Sequence, residues 1–442
     1  MKRFSAFVIL SAFALFSAFT QDASLSLSTN ATASRFASSD FSLSEKATPS
    51  FVLPFGTSSE IAGNGFVKVA FSASGAGAPV SFGLDQLRYE FVAKKPVEGI
   101  KSFVFDAGRF SLSDPAAYVL TSPADGCSFA FNYPSFSVAF RSAYTGLLFL
   151  NSSQILMSAA DKARSSAAKS LTGSPRFIAQ ADIAAPRLFG QNVAFSVITQ
   201  NDLNSGSDII AEGSTTFMPG KGGKLNTQYF ELDSTGSIQK ASYGAFFVWG
   251  SGSTLSWIAD TVSTGSYQYK PIASFLLGGN VSYPLALPAP FSASTAGGRL
   301  IVASGDKDAS SATEGNTTDV YKAFTPMNAS ALATVFSPSL SNLVYGELTF
   351  STYFPVSSVV LNGNAKLATF FRPTSGPVSE AGVAPGSTAA YLGSELDFTV
   401  SGRIASDVAL SFIGGIFVPG DAFAAANRAV QYSAGITATI SM

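Results

Sequence analysis

Residues Ala429-Val-Gln-Tyr-Ser-Ala-Gly-Ile-Thr-Ala-Thr-Ile-Ser-Met442 alternate apolar and polar almost without a break. Val430, Tyr432, Ala434, Ile436, Ala438, Ile440 and Met442 fall on one face, and Gln431, Ser433, Gly435, Thr437, Thr439 and Ser441 on the other. A period of two belongs to a strand with a different solvent on each side. The polar side carries small hydroxyls and no charge. A soluble edge strand normally carries Lys or Glu to block pairing with other chains. The same rhythm recurs along the chain, and it points to a transmembrane, antiparallel, up-and-down β-barrel in an outer membrane.

Composition supports the same solvent assignment. Of 442 residues, 46% are hydrophobic and 12% are charged, with mean hydropathy +0.28. Ordinary soluble domains carry roughly 25% charged residues. Beyond the N-terminus no uninterrupted apolar run approaches the ~18 residues of a spanning helix. An apolar chain without such a helix can satisfy its backbone in lipid only as a closed barrel. Lys2 and Arg3, the apolar stretch Phe7 to Phe16 and the Ala18-Phe19-Thr20 site read as an export signal. Residues 1–20 are therefore expected to be a signal peptide, and 21–442 a single barrel domain.

Several function classes drop out. The sequence has no histidine and a single cysteine, Cys127. Ser-His-Asp and Cys-His catalysis are thereby removed, along with the commonest zinc ligand and any internal disulfide. No nucleophile motif is present, so the chain reads as a non-enzyme with no catalytic residue and no cofactor. Asp306, Asp308 and Asp319 lack a regular ligand register and read as a solvated loop rather than a metal site. A net charge of −1 gives no reason to expect nucleic acid.

About eighteen strand candidates of the ~9–11 residues needed for a tilted crossing can be marked. The clearest are Asn64–Ser72, Phe82–Val92, Ser135–Tyr144, Ile272–Pro284, Leu343–Tyr353 and Tyr391–Arg403. In the last, Leu396, Phe398 and Val400 oppose Glu395, Asp397 and Arg403. Charges fall on the parity opposite Leu, Val and Phe throughout. A lipid-facing Arg near mid-membrane costs ~2–4 kcal/mol, so the charged parity must face a polar interior. Tyr133-Pro134-Ser135 and Gly250-Ser251-Gly252 read as tight turns. Aromatics such as Tyr89, Tyr229, Phe230, Phe246, Phe247, Trp249, Phe370 and Phe371 read as girdles at the two interfaces. Ser152–Gly173 suits a short amphipathic helix, and Gly305–Asn342 a long loop. Either segment could cap the mouth or fold inward as a constriction.

The residues expected to line a pore are Lys68, Arg88, Arg141, Lys366, Arg372 and Arg403, with Glu90, Glu347, Glu395 and Asp397. Rings of such groups set selectivity through their field and hydrogen bonds. They could equally pair with one another and brace the wall. The facing of Arg109 is left open by blurred alternation. Two functional readings follow: a porin passing small polar, anionic or oligosaccharide solutes by diffusion, and a non-conducting barrel whose outer loops act as an adhesin or surface antigen.

The run Gly108-Arg109-Phe110-Ser111-Leu112-Ser113-Asp114-Pro115, then Ala124-Asp125-Gly126 and Ala143-Tyr144-Thr145-Gly146-Leu147-Leu148, resembles the N-terminal part of alginate-export-type outer-membrane porins. Tyr391-Leu392-Gly393-Ser394-Glu395-Leu396-Asp397-Phe398 and Phe417-Val418-Pro419-Gly420-Asp421-Ala422-Phe423 resemble the closing hairpins of that family. The resemblance implies an eighteen-stranded, monomeric barrel embedded in outer-membrane lipid, placed there by the barrel assembly machinery, and passing a polysaccharide or other anionic solute. The chain departs from the family in balancing 27 Lys plus Arg against 28 Asp plus Glu. It also ends on Met442 where an aromatic residue is usual.

Overall fold

The computed structural model describes residues 22–36, 38–57, 60–74, 81–148, 154–166, 172–206, 209–218, 221–260, 264–309, 311, 315, 319–328, 330–379, 382–383 and 387–441. The expected signal peptide, Met442, and parts of the 152–173 and 305–342 segments lie outside them.

Eighteen strands form one closed sheet. They are β1 (Asp22–Phe36), β2 (Ser38–Thr57), β3 (Ile61–Ser74), β4 (Ser81–Lys94), β5 (Ser102–Ser113), β6 (Thr121–Asn132), β7 (Ser137–Tyr144), β8 (Arg176–Leu188) and β9 (Gln191–Asp202). The second half comprises β10 (Asn226–Ile238), β11 (Ala241–Ala259), β12 (Gly265–Leu285), β13 (Ser292–Ala303), β14 (Leu343–Val356), β15 (Val359–Phe371), β16 (Tyr391–Arg403), β17 (Val408–Pro419) and β18 (Gln431–Ser441). Each strand pairs antiparallel with the next, and β1 pairs with β18 to close the ring. Closure leaves no edge strand, which removes the backbone penalty of a sheet in lipid.

Connections after even-numbered strands are short, as at Gln239–Lys240 between β10 and β11. Connections after odd-numbered strands include 145–175, 203–225, 304–342 and 372–390. Both termini of the barrel lie at the short-turn end, as an even strand count requires.

Alternation sorts the side chains as a lipid-immersed wall needs. Leu348 (65% exposed), Leu396 (51%) and Phe140 (51%) point outward, while Glu395 (1%) and Asp397 (5%) point inward. One expected turn is corrected. Gly250-Ser251-Gly252 lies inside β11. The glycines are there for close approach: Gly252 has φ +141, and a Cβ on it would sit 2.0 Å from Asn226 O. Three of the aromatics assigned to girdles also point inward. Tyr229 donates its OH to Thr325 O, Phe370 packs edge-on to Phe336, and Phe246 stacks on Tyr118. Phe230, Phe247 and Trp249 keep the outward position.

Those inward rings belong to a core inside the barrel. Inner-facing residues of β5 to β17, such as Ile198, Val248, Leu276, Tyr345 and Phe417, pack against loop residues Val119, Met157, Phe324, Met327 and Phe336. Each buried side chain of this size contributes about 1.5–3 kcal/mol. Loops therefore fold into the long-loop half of the barrel and stay there. Helix α1 (Ala159–Ser166) belongs to this inward set, with Ala160 and Asp161 buried. No member of this core comes from β18 or β1–β4 among the described residues.

Candidate functional site

The wall left free of loop core is polar. Hydrogen-bonded register places Asn362, Ser401, Ser411, Thr437, Asn30 and Ser44 side by side on consecutive strands. A second row runs Arg403, Ala409, Thr439, Ser28, Lys46, Ser72 and Ser81. Register rows cross the strands at right angles, and barrel strands are tilted, so each row climbs the wall. The first row begins near the β14–β15 turn and reaches the upper part of β2. The second begins at the end of β16 and reaches the start of β4. Two adjacent polar tracks thus run from one end of the barrel toward the other.

Apart from Lys46 and Arg403, side chains along the tracks are small, and most are polar. Ser72 Oγ and Ser81 Oγ lie 2.8 Å apart, and Thr437 Oγ1 is 3.4 Å from Asn30 Oδ1; beside the tracks, Ser24 Oγ and Ser50 Oγ lie 2.6 Å apart. At the short-turn end a cavity of about 420 Å³ is lined by Tyr353, Asn362, Ser401, Arg403, Ser411 and Thr437. Charge on the two rows is basic only, from Lys46 and Arg403. Lys46 meets Asp85 at 3.7 Å, and Lys68 is exposed on the neighbouring part of β3.

Most of the other expected pore residues are engaged elsewhere. Arg88 lies 3.1 Å from Asp106 and 3.4 Å from Glu90, with its guanidinium over the Phe66 ring. Arg141 pairs with Asp182, which also accepts from Gln180 and Ser196. Glu347 pairs with Arg299 at 2.8 Å and also accepts from the Tyr345 hydroxyl. Lys366 lies 2.9 Å from Asp397. Arg109, whose facing was open, makes a two-pronged bond with Asp125 and also donates to Leu84 O and Leu147 O.

Several of these groups hold the inward loops. Lys366 Nζ donates to Leu332 O at 2.7 Å, and the Tyr345 hydroxyl oxygen lies 3.0 Å from the same carbonyl. Thr334 N donates to Asp397, and Val335 N and Phe336 N donate to the two oxygens of Glu395. Glu395 is thus a receptor for backbone amides. Arg372 stands beyond the end of β15, and its donors reach the carbonyls of Ala389, Ser387, Ser375 and Gly376. It ties together the 372–390 loop rather than facing an open lumen. Of the ten expected residues, Lys68 and Arg403 are exposed with no ion pair among the described residues.

Sequence reading missed the loop anchors. Arg176, fully buried, meets Asp161 at 2.6 Å and Asp202 at 3.1 Å and donates to Gln200 and to Leu225 O. Burial opposes ionisation of Asp161, but Arg176 and the Ser158 amide hold its carboxyl below the usual range. Asp114 accepts from the amides of Tyr118, Val119 and Leu120. Burial pushes its carboxyl up. Parity could have found Arg299 and Asp182, which oppose Leu300 and Ile183. Alternation does not mark the site of Arg176, because its partners converge from α1, the 203–225 connection and β9.

No family model matches the sequence, and no curated protein matches it. The fold is nonetheless shared with solved structures. OccK5 (OpdH) of Pseudomonas aeruginosa aligns with TM-score 0.55 at 10% identity, covering 96% of this chain and 99% of that one. OccK2 (OpdF) of the same organism gives 0.54 at 11%, with 96% and 99% covered, and has also been solved in complex with glucuronate. The outer membrane protein opdK of P. aeruginosa gives 0.54 at 10%, with 96% and 99% covered. These are 18-stranded outer-membrane porins, and the chain has their fold. The resemblance read from the hairpin phrases therefore holds for the barrel class. Its finer part, the alginate-export family, is not supported.

Proposed function

We propose that the chain is an outer-membrane porin that passes small polar solutes by diffusion along the β15–β4 wall. The observation that supports this most is the pair of polar register rows on a stretch of inner wall that the loop core leaves uncovered. Hydroxyls and amides exchange hydrogen bonds with a passing solute without holding it, which conduction requires. Lys46, Lys68 and Arg403 add a mild positive field, so small carboxylates and sugar acids fit the track better than cations. The glucuronate complex of OccK2 is in keeping with that class of solute. The paired charges of β4–β8 and β13–β16 brace the wall and its loops. The chain acts as a single barrel from residue 21, with no catalytic step.

The packed loop core is the one feature that favours the second reading, a closed barrel presenting its outer loops as an adhesin or antigen. Swelling of vesicles containing the refolded protein separates the two. Swelling in small sugars and sugar acids, falling off with solute size, supports the porin. Vesicles that hold correctly folded barrels and do not swell favour the closed barrel.

A further inference from the structure

The short-turn rim is uneven in charge. Lys94, Lys95 and Lys101 at the β4–β5 turn, Arg187 at β8–β9 and Lys240 at β10–β11 stand against Glu98 alone on those three turns. All five are exposed, and none forms an ion pair among the described residues. By contrast, the 286–291 and 357–358 turns carry no charge. Among the described short turns, the basic side chains thus gather on an arc made by β4–β5, β8–β9 and β10–β11, with the uncharged 133–136 turn between them, while Arg403 at the end of β16 faces the lumen.

The same arc presents apolar tips. Val97 is 60% exposed, Ile238 65% and Phe189 93%. Backbone conformation marks several of these positions as costly. Lys95 has φ +50, Arg187 +68, Phe189 +51 and Gln239 +54. Glycine or asparagine adopts that region far more easily, and two-residue hairpins normally use them there. A charged or bulky side chain kept at such a place points to use of that side chain. The arc also continues the outer apolar face of the wall, since Ile183 and Leu188 lead down β8 to Phe189.

We propose that this arc binds the anionic headgroups of phospholipids in the adjoining leaflet. The apolar tips enter the headgroup boundary, and the lysines and arginine meet the phosphates. Continuity with the lipid face favours lipid over an acidic protein docking from the aqueous side. The inference rests on the reading of the chain as a membrane barrel.

The test refolds the full chain into mixed phosphatidylcholine and phosphatidylglycerol vesicles, extracts it in mild detergent and measures which lipid is retained. It compares the unmodified chain with a variant carrying Lys95→Gln, Lys101→Gln, Arg187→Gln and Lys240→Gln. Each basic residue near an anionic surface strengthens attraction about fivefold. Preferential retention of phosphatidylglycerol, reduced more than tenfold in the variant, supports the arc. A heat-modifiable band shift on gels confirms that both proteins are folded. Equal retention by folded variant and parent overturns the inference, as does a parent with no lipid preference, which would direct the arc to an acidic partner. Failure of the parent to insert into any vesicle overturns the barrel reading itself.

Discussion

Lys366 and Asp397 face each other across β15 and β16 at 2.9 Å, and both reach inward to hold the same loop. Lys366 donates to Leu332 O, and Asp397 accepts from Thr334 N. One ion pair thus serves the wall and the loop together. Replacing Asp397→Asn leaves Lys366 without its counter-charge and weakens the grip on 332–336. Amide hydrogen exchange at Thr334 to Phe336 is expected to rise about tenfold, the equivalent of a lost bond of about 1.4 kcal/mol. Unchanged exchange would show that Glu395 and the Phe336 ring hold the loop unaided.

Selectivity should follow the polar tracks rather than the braced charges. Lys46→Gln with Arg403→Gln removes both basic groups from the two rows and is expected to move ion preference toward cations. Arg372→Gln should leave preference unchanged, since its donors are on loop carbonyls. Reversal potentials in a salt gradient check both. A shift from Arg372→Gln alone would place the conduit by the 372–390 loop instead.

Arg176→Met strands Asp161 and Asp202 in a buried site. Breaking a buried pair in this way costs about 3–5 kcal/mol, enough to release α1 from the inner core. Acid should mimic the change. Asp161 is held below its ordinary pKa in the folded chain. Its contribution is therefore present above the unfolded value near ~3.9 and is lost as pH falls through the lower folded value. Limited proteolysis of the 154–166 segment should be slow at neutral pH and fast only below about pH 4. Sensitivity that appears near neutrality would point to another group.

Gly252→Ala places a methyl against Asn226 O in a backbone with φ +141. Strain of about 1–3 kcal/mol is expected from the conformation alone, and the β10–β11 pairing should weaken. Denaturant midpoints of the refolded barrel measure the loss. A midpoint equal to that of the unmodified chain would mean that β11 can change its path there at no cost.

Facing was legible in the sequence wherever alternation ran long. Tyr391–Arg403 coincides with β16, and the outward Leu396 against the inward Glu395 follows from parity alone. Cysteine scanning extends this: probes at Leu396 and Phe398 should be quenched by lipid-borne reagents, and probes at Thr399 and Ser401 should react with water-borne ones. What parity cannot give is the partner across the strand. The row from Asn362 to Ser44 exists only because five registers happen to align, and a one-residue slip in any of them would break it. The fate of the loops was also hidden. Phe336 looks like an ordinary loop residue until the inner faces of β15 and β17 are built around it. Gly250-Ser251-Gly252 was misread because glycine serves a turn and a close backbone approach alike.

The most direct measurement is single-channel current through the refolded chain in a planar bilayer, before and after a water-borne thiol reagent acts on a Thr437→Cys, Cys127→Ser variant. Thr437 stands in the middle of the first polar row. The expected result is a steady conductance with weak anion preference that drops when the bulky reagent couples to residue 437. A folded barrel that never conducts, or one whose current is untouched after coupling at residue 437 is verified by mass, would contradict a conduit along this wall.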